Sequence, residues 1–172
     1  MKKLCAVLAL TLLLTGCGKQ QTVETVNDVY EQPTPLTCQQ VVLELPQDTA
    51  VPVMESDAGK LYICESYTIS QQILESGDLK ATVCSVSGFA PEELKIVKTR
   101  RGDTERYDFV WTAAGETGEQ VCRACILDDG AYHYVLTATA DASQGSQVQS
   151  VWREMFNSFR LVSPEMPLHT GS

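Results

Sequence analysis

Apolar and polar residues alternate with a period of two over much of the chain after residue 37, which predicts β-strands. Val41, Leu43 and Leu45 share one side of a first strand, and Pro46 ends it. The same alternation predicts further strands at residues 61–63, 67–69, 79–86 and 107–111. A chain of this pattern is expected to form a sheet with one face packed on a core.

The clearest turn signal is the segment Asp128-Asp129-Gly130. An Asp-Gly pair suits a tight turn that needs positive φ, so this segment is predicted to join strands over residues 120–127 and 131–140 in a hairpin. In the second strand, Tyr132, Tyr134, Leu136 and Ala138 lie on one face, and His133, Val135, Thr137 and Thr139 lie on the other.

Two stretches depart from the strand period. Residues 90–94 place proline and glutamates where a first helical turn favours them, which predicts a short helix ending near Val97. Residues 144–159 carry one apolar stripe at helical spacing, which predicts an amphipathic helix across a sheet face and is interpreted as core rather than as a cofactor site. The stripe comprises Val148, Val151, Trp152, Met155, Phe156 and Phe159. The predicted fold class is α+β, a twisted antiparallel sheet with this C-terminal helix packed on one face.

The N-terminus has the features of an export signal. Lys2 and Lys3 precede an apolar run over residues 4–14, which is too short to span a bilayer and fits a signal peptide. The following Leu-Thr-Gly-Cys segment resembles the bacterial lipobox, in which the cysteine is diacylated and becomes the mature N-terminus. That resemblance implies lipid attachment at Cys17 and a membrane-anchored, extracytoplasmic protein, since two acyl chains anchor stably. An ordinary secretory signal with an incidental cysteine is the alternative.

This interpretation divides the chain into four parts: a signal peptide over residues 1–16, a lipidated cysteine and flexible tether over 17–37, a domain over 38–162, and a disordered tail over 163–172. A tether of that length reaches on the order of 25 Å. The mature part retains 11 of the 13 basic residues against 22 acidic ones, so the formal charge falls from −9 to −11. Such an acidic body argues against nucleic acid as a partner and against docking on anionic lipid headgroups.

Catalytic signals are sparse. Nucleophilic catalysis needs a base beside the nucleophile, and the body offers only His133 on a strand and His169 in the tail. A lone strand histidine is interpreted as a surface or packing residue. The acidic residues Glu116, Glu119, Asp128 and Asp129 fall in predicted turns and are interpreted as solvated charge, with an acidic rim for a basic partner as the alternative.

The five cysteines of the body are Cys38, Cys64, Cys84, Cys122 and Cys125, an odd number that leaves at least one without an internal partner. Cys122 and Cys125 form a C-x-x-C segment inside a predicted strand. At about 3.3 Å per residue their α-carbons stand roughly 10 Å apart, whereas a disulfide needs less than about 7 Å. They are therefore predicted not to bridge each other and to be buried thiols, and a zinc site that recruits Cys64 or Cys84 is the alternative.

The order of elements carries a family resemblance. An opening strand ends in LELP, a short helix follows GFAPEEL, a hairpin has the sequence DDGAYHYVLTATA, and the chain closes with VWREMFNSFRLV. Over residues 38–162 this resembles the PsbP-like fold of the extrinsic PsbP subunit of photosystem II, the Ran-binding Mog-type proteins and many small bacterial lipoproteins. The resemblance implies a binding or assembly module, and it carries no functional residue over to this chain.

The expected function is a non-catalytic binding or assembly module of the cell envelope, with no catalytic, cofactor or metal site. Its partner is expected to be an envelope protein or a small ligand, and it meets the membrane through its N-terminal lipid. The competing class is an enzyme, either a thiol-based redox protein or a hydrolase with a site assembled from scattered residues. Clustering of His133 with a cysteine or two carboxylates in a cleft would favour that class.

Overall fold

The computed structural model describes residues 38–49, 51–116 and 118–162. The predicted signal peptide, the lipidated Cys17, the tether and the tail from residue 163 lie outside the described residues. No helix in the described part of the chain has the length and apolar character needed to cross a membrane.

Strands dominate the described residues. They are β1 (Gln40–Val42), β2 (Met54–Ser56), β3 (Gly59–Ile63), β4 (Tyr67–Glu75), β5 (Val97–Arg101), β6 (Thr104–Ala114), β7 (Glu119–Asp128), β8 (Tyr132–Asp141) and β9 (Arg160–Val162). The helices are α1 (Leu79–Ser87) and α2 (Gly145–Ser158), with 3₁₀ turns at Pro91–Glu93 and Ala142–Gln144. Seven strands form an antiparallel sheet in the order β2-β3-β4-β8-β7-β6-β5, and β1 pairs with β9 in a separate two-stranded sheet. The predicted α+β class is confirmed.

Both faces of the seven-stranded sheet bury apolar side chains. The α2-face core lies under α2 and under the β1–β9 pair, and it includes Ile69, Leu136 and Phe156. The α1-face core lies on the other side and includes Val83 and Ile126. The β7–β8 hairpin supplies both cores because its side chains alternate between the two faces, as the sequence predicts.

The helix predicted over residues 144–159 is confirmed as α2. Its buried side chains are Val148, Trp152, Met155, Phe156 and Ser158. The Trp152 ring meets Tyr67 edge-on, with ring centroids 6.4 Å apart and planes at 81°. The apolar stripe is therefore core, as its spacing predicts.

The strand predicted over residues 79–86 is wrong, because this segment is the helix α1. The Asp78 side chain accepts a hydrogen bond from Lys80 N at 3.0 Å and caps the first turn, and Gly88 ends the helix at φ 78°. Leu79, Val83 and Val86 fit a period of two only in part, and their spacing of four and three places them on one helical face, which packs on the α1-face core. The sheet consequently carries a helix on each face rather than on one.

The short helix predicted to end near Val97 is also wrong in its extent. Only Pro91–Glu93 form a 3₁₀ turn, and Val97 instead begins β5. The reason is visible in the contacts: Leu94 and Ile96 pack against the α1-face core, two residues apart as in an extended chain.

Candidate functional site

Basic residues concentrate in one short part of this acidic chain. Five of the 13 lysines and arginines occur within residues 95–106, which span β5, its turn and the start of β6. Gly102 takes φ 62° in that turn, a conformation that glycine adopts without strain. The hairpin register places Arg101 opposite Thr104, and Thr99 opposite Arg106.

These four residues lie on the same face of the sheet, because directly opposed side chains of an antiparallel pair share a face. They form the floor of a cleft of about 400 Å³ between the β5–β6 hairpin, the end of α2, and β9. We call it the arginine cleft. Its lining comprises Gln39, Thr99, Arg101, Thr104, Arg106, Leu127, Asn157, Phe159, Arg160 and Leu161.

Arg106 is the structural arginine of the cleft. Its guanidinium donates to both carboxylate oxygens of Asp108, at 2.6 and 2.9 Å, and to the carbonyls of Phe156 at 2.8 Å and Phe159 at 3.0 Å. Carbonyls at a helix C-terminus lack intrahelical donors, so Arg106 satisfies two groups that α2 leaves open and ties that helix end to β6. Burial lowers the pKa of Arg106, but the hydrogen bonds to Asp108 and the electrostatic effects of Cys125 and Asp108 together outweigh it and leave the pKa raised.

Arg123 reinforces the same corner from β7. Its guanidinium lies 4.3 Å from the centre of the Phe156 ring and 3.6 Å from Asp108. A cation over an aromatic face is favourable, and it is more so where water is partly excluded. Two arginines therefore neutralise the single carboxylate of Asp108, and the corner keeps a net positive charge.

The other two arginines of the cleft are Arg101 and Arg160. Both are exposed, and among the described residues neither forms an ion pair with a carboxylate. Within the part of the chain that the structure describes, Arg160 donates to the Ser158 carbonyl alone, at 3.2 Å. Guanidinium groups present planar pairs of donors that match carboxylate and phosphate oxygens. The cleft is therefore chemically suited to an anionic ligand group.

Two other hollows in the described residues lack this feature. A shallow one of about 320 Å³ is lined by polar residues of β4, β8 and the segment before β4, including Tyr67. The Tyr67 hydroxyl donates to Asp48 at 2.7 Å, and burial together with this bond raises the Tyr67 pKa. A hollow of about 410 Å³ between β1 and β3 contains Lys60, whose ammonium lies 2.6 Å from Glu55. Neither hollow holds a cation without a carboxylate partner.

His133 is a packing residue of the α1 face. Its side chain is completely buried, its Nδ1 lies 2.8 Å from the Thr82 hydroxyl, and its Nε2 lies 3.6 Å from the Asp128 carboxylate. Thr82 belongs to α1, so this contact joins that helix to β8. An enzyme of the competing class was expected to gather a cysteine or two carboxylates around an accessible histidine. The polar neighbours of the buried His133 in the described residues are instead one hydroxyl and one carboxylate.

Cys122 and Cys125 lie on β7 and are free thiols, as the strand geometry predicts. Cys122 is buried in the α1-face core and Cys125 in the α2-face core, on opposite faces of the sheet. Burial raises the pKa of both thiols, which disfavours the reactive thiolate. Within the described residues no group of three or more metal-ligating side chains is placed to hold an ion.

Of the four turn carboxylates interpreted as solvated charge, Glu116 and Glu119 are exposed, whereas Asp128 and Asp129 are structural. The Asp129 carboxylate accepts hydrogen bonds from the backbone of Ala131 at 2.9 Å and Tyr132 at 2.7 Å, from the Tyr134 hydroxyl at 3.0 Å, and from the Gln39 amide at 2.9 Å. Burial raises the Asp129 pKa, but these hydrogen bonds outweigh it and leave the pKa lowered. This carboxylate joins the β7–β8 turn to the chain entering β1, and Asp128 accepts from Gly130 N at 2.8 Å.

The arginine cleft was not predicted from the sequence. A visible signal exists in the segment VKTRRGDTER, which is basic inside an acidic chain. The third arginine, Arg160, lies some 60 positions along the chain from Arg101, so its approach to the hairpin depends on how α2 crosses the sheet.

No family model matches this chain, and no curated protein matches it. Solved structures do. The chain is similar to a protein from Bacteroides thetaiotaomicron, with 8% identity and a TM-score of 0.51, over 73% of this chain and 46% of that one, so it spans about half that protein's length. It is also similar to cyanobacterial PsbP (CyanoP) from Synechocystis, with 12% identity and a TM-score of 0.51, over 71% of this chain and 86% of that one. A further similarity, to LpqN, involved in cell envelope biogenesis of Mycobacterium tuberculosis, has 14% identity over 77% of this chain and 88% of that one, and its TM-score of 0.49 is too low to support an argument.

These similarities establish the fold and nothing beyond it, because the sequences are so distant. The described domain is an α+β sheet domain with helices on both faces, and its fold is PsbP-like. The fold expected from the order of elements is therefore confirmed.

Proposed function

We propose that this chain is a lipid-anchored extracytoplasmic binding module, non-catalytic, whose ligand site is the arginine cleft. One observation carries the proposal: two exposed arginines without carboxylate partners, Arg101 and Arg160, line a cleft of about 400 Å³ in a chain of net charge −9. Their convergence on one concavity suits recognition of an anionic group.

Two further features support a binding role over catalysis. Burial raises the pKa of the Cys122 and Cys125 thiols, and His133 has no exposed surface. The groups that would act as nucleophile or base thus lie in the cores rather than in the cleft. The cleft itself supplies donors that hold a ligand, such as guanidinium, hydroxyl and amide groups.

The anchor is tested at Cys17. Replacing it with alanine should abolish metabolic labelling with palmitate and move the protein out of the membrane fraction or stall it as an unprocessed precursor. Cys38→Ala is the matched control, because it removes an exposed thiol of the described domain, and it should leave labelling unchanged. A Cys17→Ala variant that is processed normally and stays in the membrane fraction contradicts the anchor.

The cleft is tested by photocrosslinking in living cells. A photoreactive residue at Thr104, on the cleft floor, should form adducts that disappear when Arg101 and Arg160 are both changed to glutamate. The same residue at Ser56, in the exposed strand β2 at the opposite end of the sheet, is the control and should form none of these adducts. Adducts at Thr104 that persist without the two arginines would assign the binding site elsewhere.

A further inference from the structure

We propose that β5 receives an extended acidic segment of a partner protein, which joins the sheet as an additional strand and places carboxylates in the arginine cleft. This inference rests on the proposed function and names its ligand class.

The edge itself is open. β5 is the last strand of the seven-stranded sheet and pairs with β6 alone among the described strands. All five of its residues are exposed, and Val-Lys-Thr-Arg-Arg contains no proline that would remove a backbone donor. A strand in this position presents a row of unpaired N–H and C=O groups that can pair with another chain.

The opposite edge of the sheet is a poor receptor by comparison. β2 has three residues, and its Glu55 is paired with Lys60 of β3 at 2.6 Å. Asp57 follows in the turn, so the charge there is mixed to acidic. Only the β5 edge combines five exposed residues with a basic character.

Both faces of β5 are positive. Thr99 and Arg101 face the cleft, so alternation directs Lys98 and Arg100 to the other face. The Lys98 ammonium lies 5.3 Å from the centre of the Tyr107 ring, which belongs to the α1-face core, in agreement with that assignment. On that face Lys98 is paired with Glu105 at 2.8 Å, so its cation without a carboxylate partner among the described residues is Arg100. An added strand therefore meets one such arginine on either side, Arg101 on the cleft side and Arg100 on the other, and glutamate or aspartate is favoured on both.

Charged edge residues also protect a sheet against pairing with copies of itself. The positive charge of β5 also selects between partners, because it repels the β5 strand of a second copy and attracts an acidic strand. An added strand lies about 4.8 Å from β5, and every second side chain then stands on the cleft side, within reach of Arg101. An anionic membrane is a weaker candidate occupant, since the chain as a whole carries a charge of −9 and is repelled by it.

The test uses the full isotope-labelled chain in a neutral detergent and a capped nine-residue peptide that alternates glutamate with threonine and valine. We expect amide shifts along Val97–Arg101 and slowed hydrogen exchange at alternate residues of β5. A glutamine version of the peptide should bind at least about tenfold more weakly, since it loses the charge-assisted hydrogen bonds. A peptide N-methylated at alternate residues should not slow exchange in β5 at all.

Arg101→Gln is the matched variant, and Arg153→Gln is its control, because Arg153 is exposed on α2 and has no carboxylate partner among the described residues. The first should weaken peptide binding at least about tenfold, and the second by less than about twofold. Two results would overturn strand addition. One is a set of amide shifts confined to Arg101 and Arg160 without slowed exchange in β5. The other is the same set of shifts when inorganic phosphate or phosphatidylglycerol vesicles replace the peptide. The proposed function then still stands if the Thr104 crosslinks depend on the arginines, and it falls as well if they do not. Concentration-dependent self-association that protects β5 would assign the edge to a second copy and also overturn the inference.

Discussion

The centre of the sheet and its β5–β6 end are built from the same kind of strand pairing, but they differ in nearly every other respect. In the centre, Ile126 on the α1 face and Tyr134 and Leu136 on the α2 face have no measurable exposure, and Phe156 of α2 is equally buried. At the β5–β6 end, every residue of β5 is exposed, and Val97 and Val110 retain 51% and 59% of their surface.

This difference separates stability from recognition. Burying a large apolar side chain contributes about 1.5–3 kcal/mol, so the covered centre supplies most of the free energy that holds the fold. The exposed charges at the β5–β6 end contribute little to folding, because ion pairs in water are worth about 0–1 kcal/mol. Substitutions in the two regions should therefore have opposite signatures.

The largest effect on stability is expected at Trp152. Trp152→Ala removes a side chain that is 4% exposed and should lower the free energy of unfolding by about 3–5 kcal/mol, because lost transfer energy and a residual cavity add. Urea denaturation followed by circular dichroism measures this. Glu154→Ala, on the exposed side of the same helix, should change stability by less than about 0.5 kcal/mol. Equal and small effects of both changes would show that the stripe of α2 does not hold the centre together.

Arg106 lies at the boundary between the two regions, and a smaller but clear loss is expected there. Arg106→Ala leaves the Asp108 carboxylate and the Phe156 and Phe159 carbonyls without their donor, which should cost about 2–3 kcal/mol. Arg106→Lys should recover only part of the loss, since an ammonium cannot reproduce the planar arrangement of donors. Thermal denaturation of both variants checks this. A lysine variant as stable as the parent would mean that charge alone matters at this position.

Asp129 lies in the turn of the central β7–β8 hairpin, and its ionised carboxylate is expected to stabilise that turn. Its pKa is lowered in the folded chain, so its contribution is present above the ordinary carboxyl pKa of about 3.9 and is lost as the pH falls through the lower folded value. Asp129→Asn should cost about 1–3 kcal/mol at neutral pH, because an amide opposes the four donors less well. The cost should shrink as the pH falls below about 4, where the carboxyl of the unfolded parent is protonated first, and it is mostly gone below the lower folded pKa, where the carboxyl of the folded parent is neutral too. A constant difference between parent and variant from pH 7 to pH 2 would contradict the role of the ionised form.

The same contrast explains how much of the molecule could be predicted from the sequence. α2 was predictable because six apolar side chains keep one helical face over the twelve residues 148–159, and no strand can keep that spacing. α1 was not, since its short run of apolar residues satisfies a period of two about as well as the helical period. Its capping residues, Asp78 and Gly88, were the better signals.

The candidate site was less predictable than the fold for a physical reason. β5 carries no alternation of apolar and polar residues, because neither of its faces is covered, and so it gives no strand signal. The cleft also joins Arg101 of the β5–β6 hairpin to Arg160 after α2, and only the path of that helix across the sheet brings them together. Asp129 illustrates the opposite case, since this turn residue was expected to be solvated but is fixed by a hydrogen bond from Gln39, in a distant segment of the chain.

One doubly substituted chain tests whether recognition lies at the β5–β6 end and is separable from stability. Arg101→Glu with Arg160→Glu should leave the midpoint of urea unfolding within about 0.5 kcal/mol of the parent, because both side chains are exposed and form no ion pair in the described residues. The same chain should lose the photocrosslinked partner at Thr104 and the binding of the acidic peptide. Unchanged stability together with unchanged crosslinking and peptide binding would contradict the account.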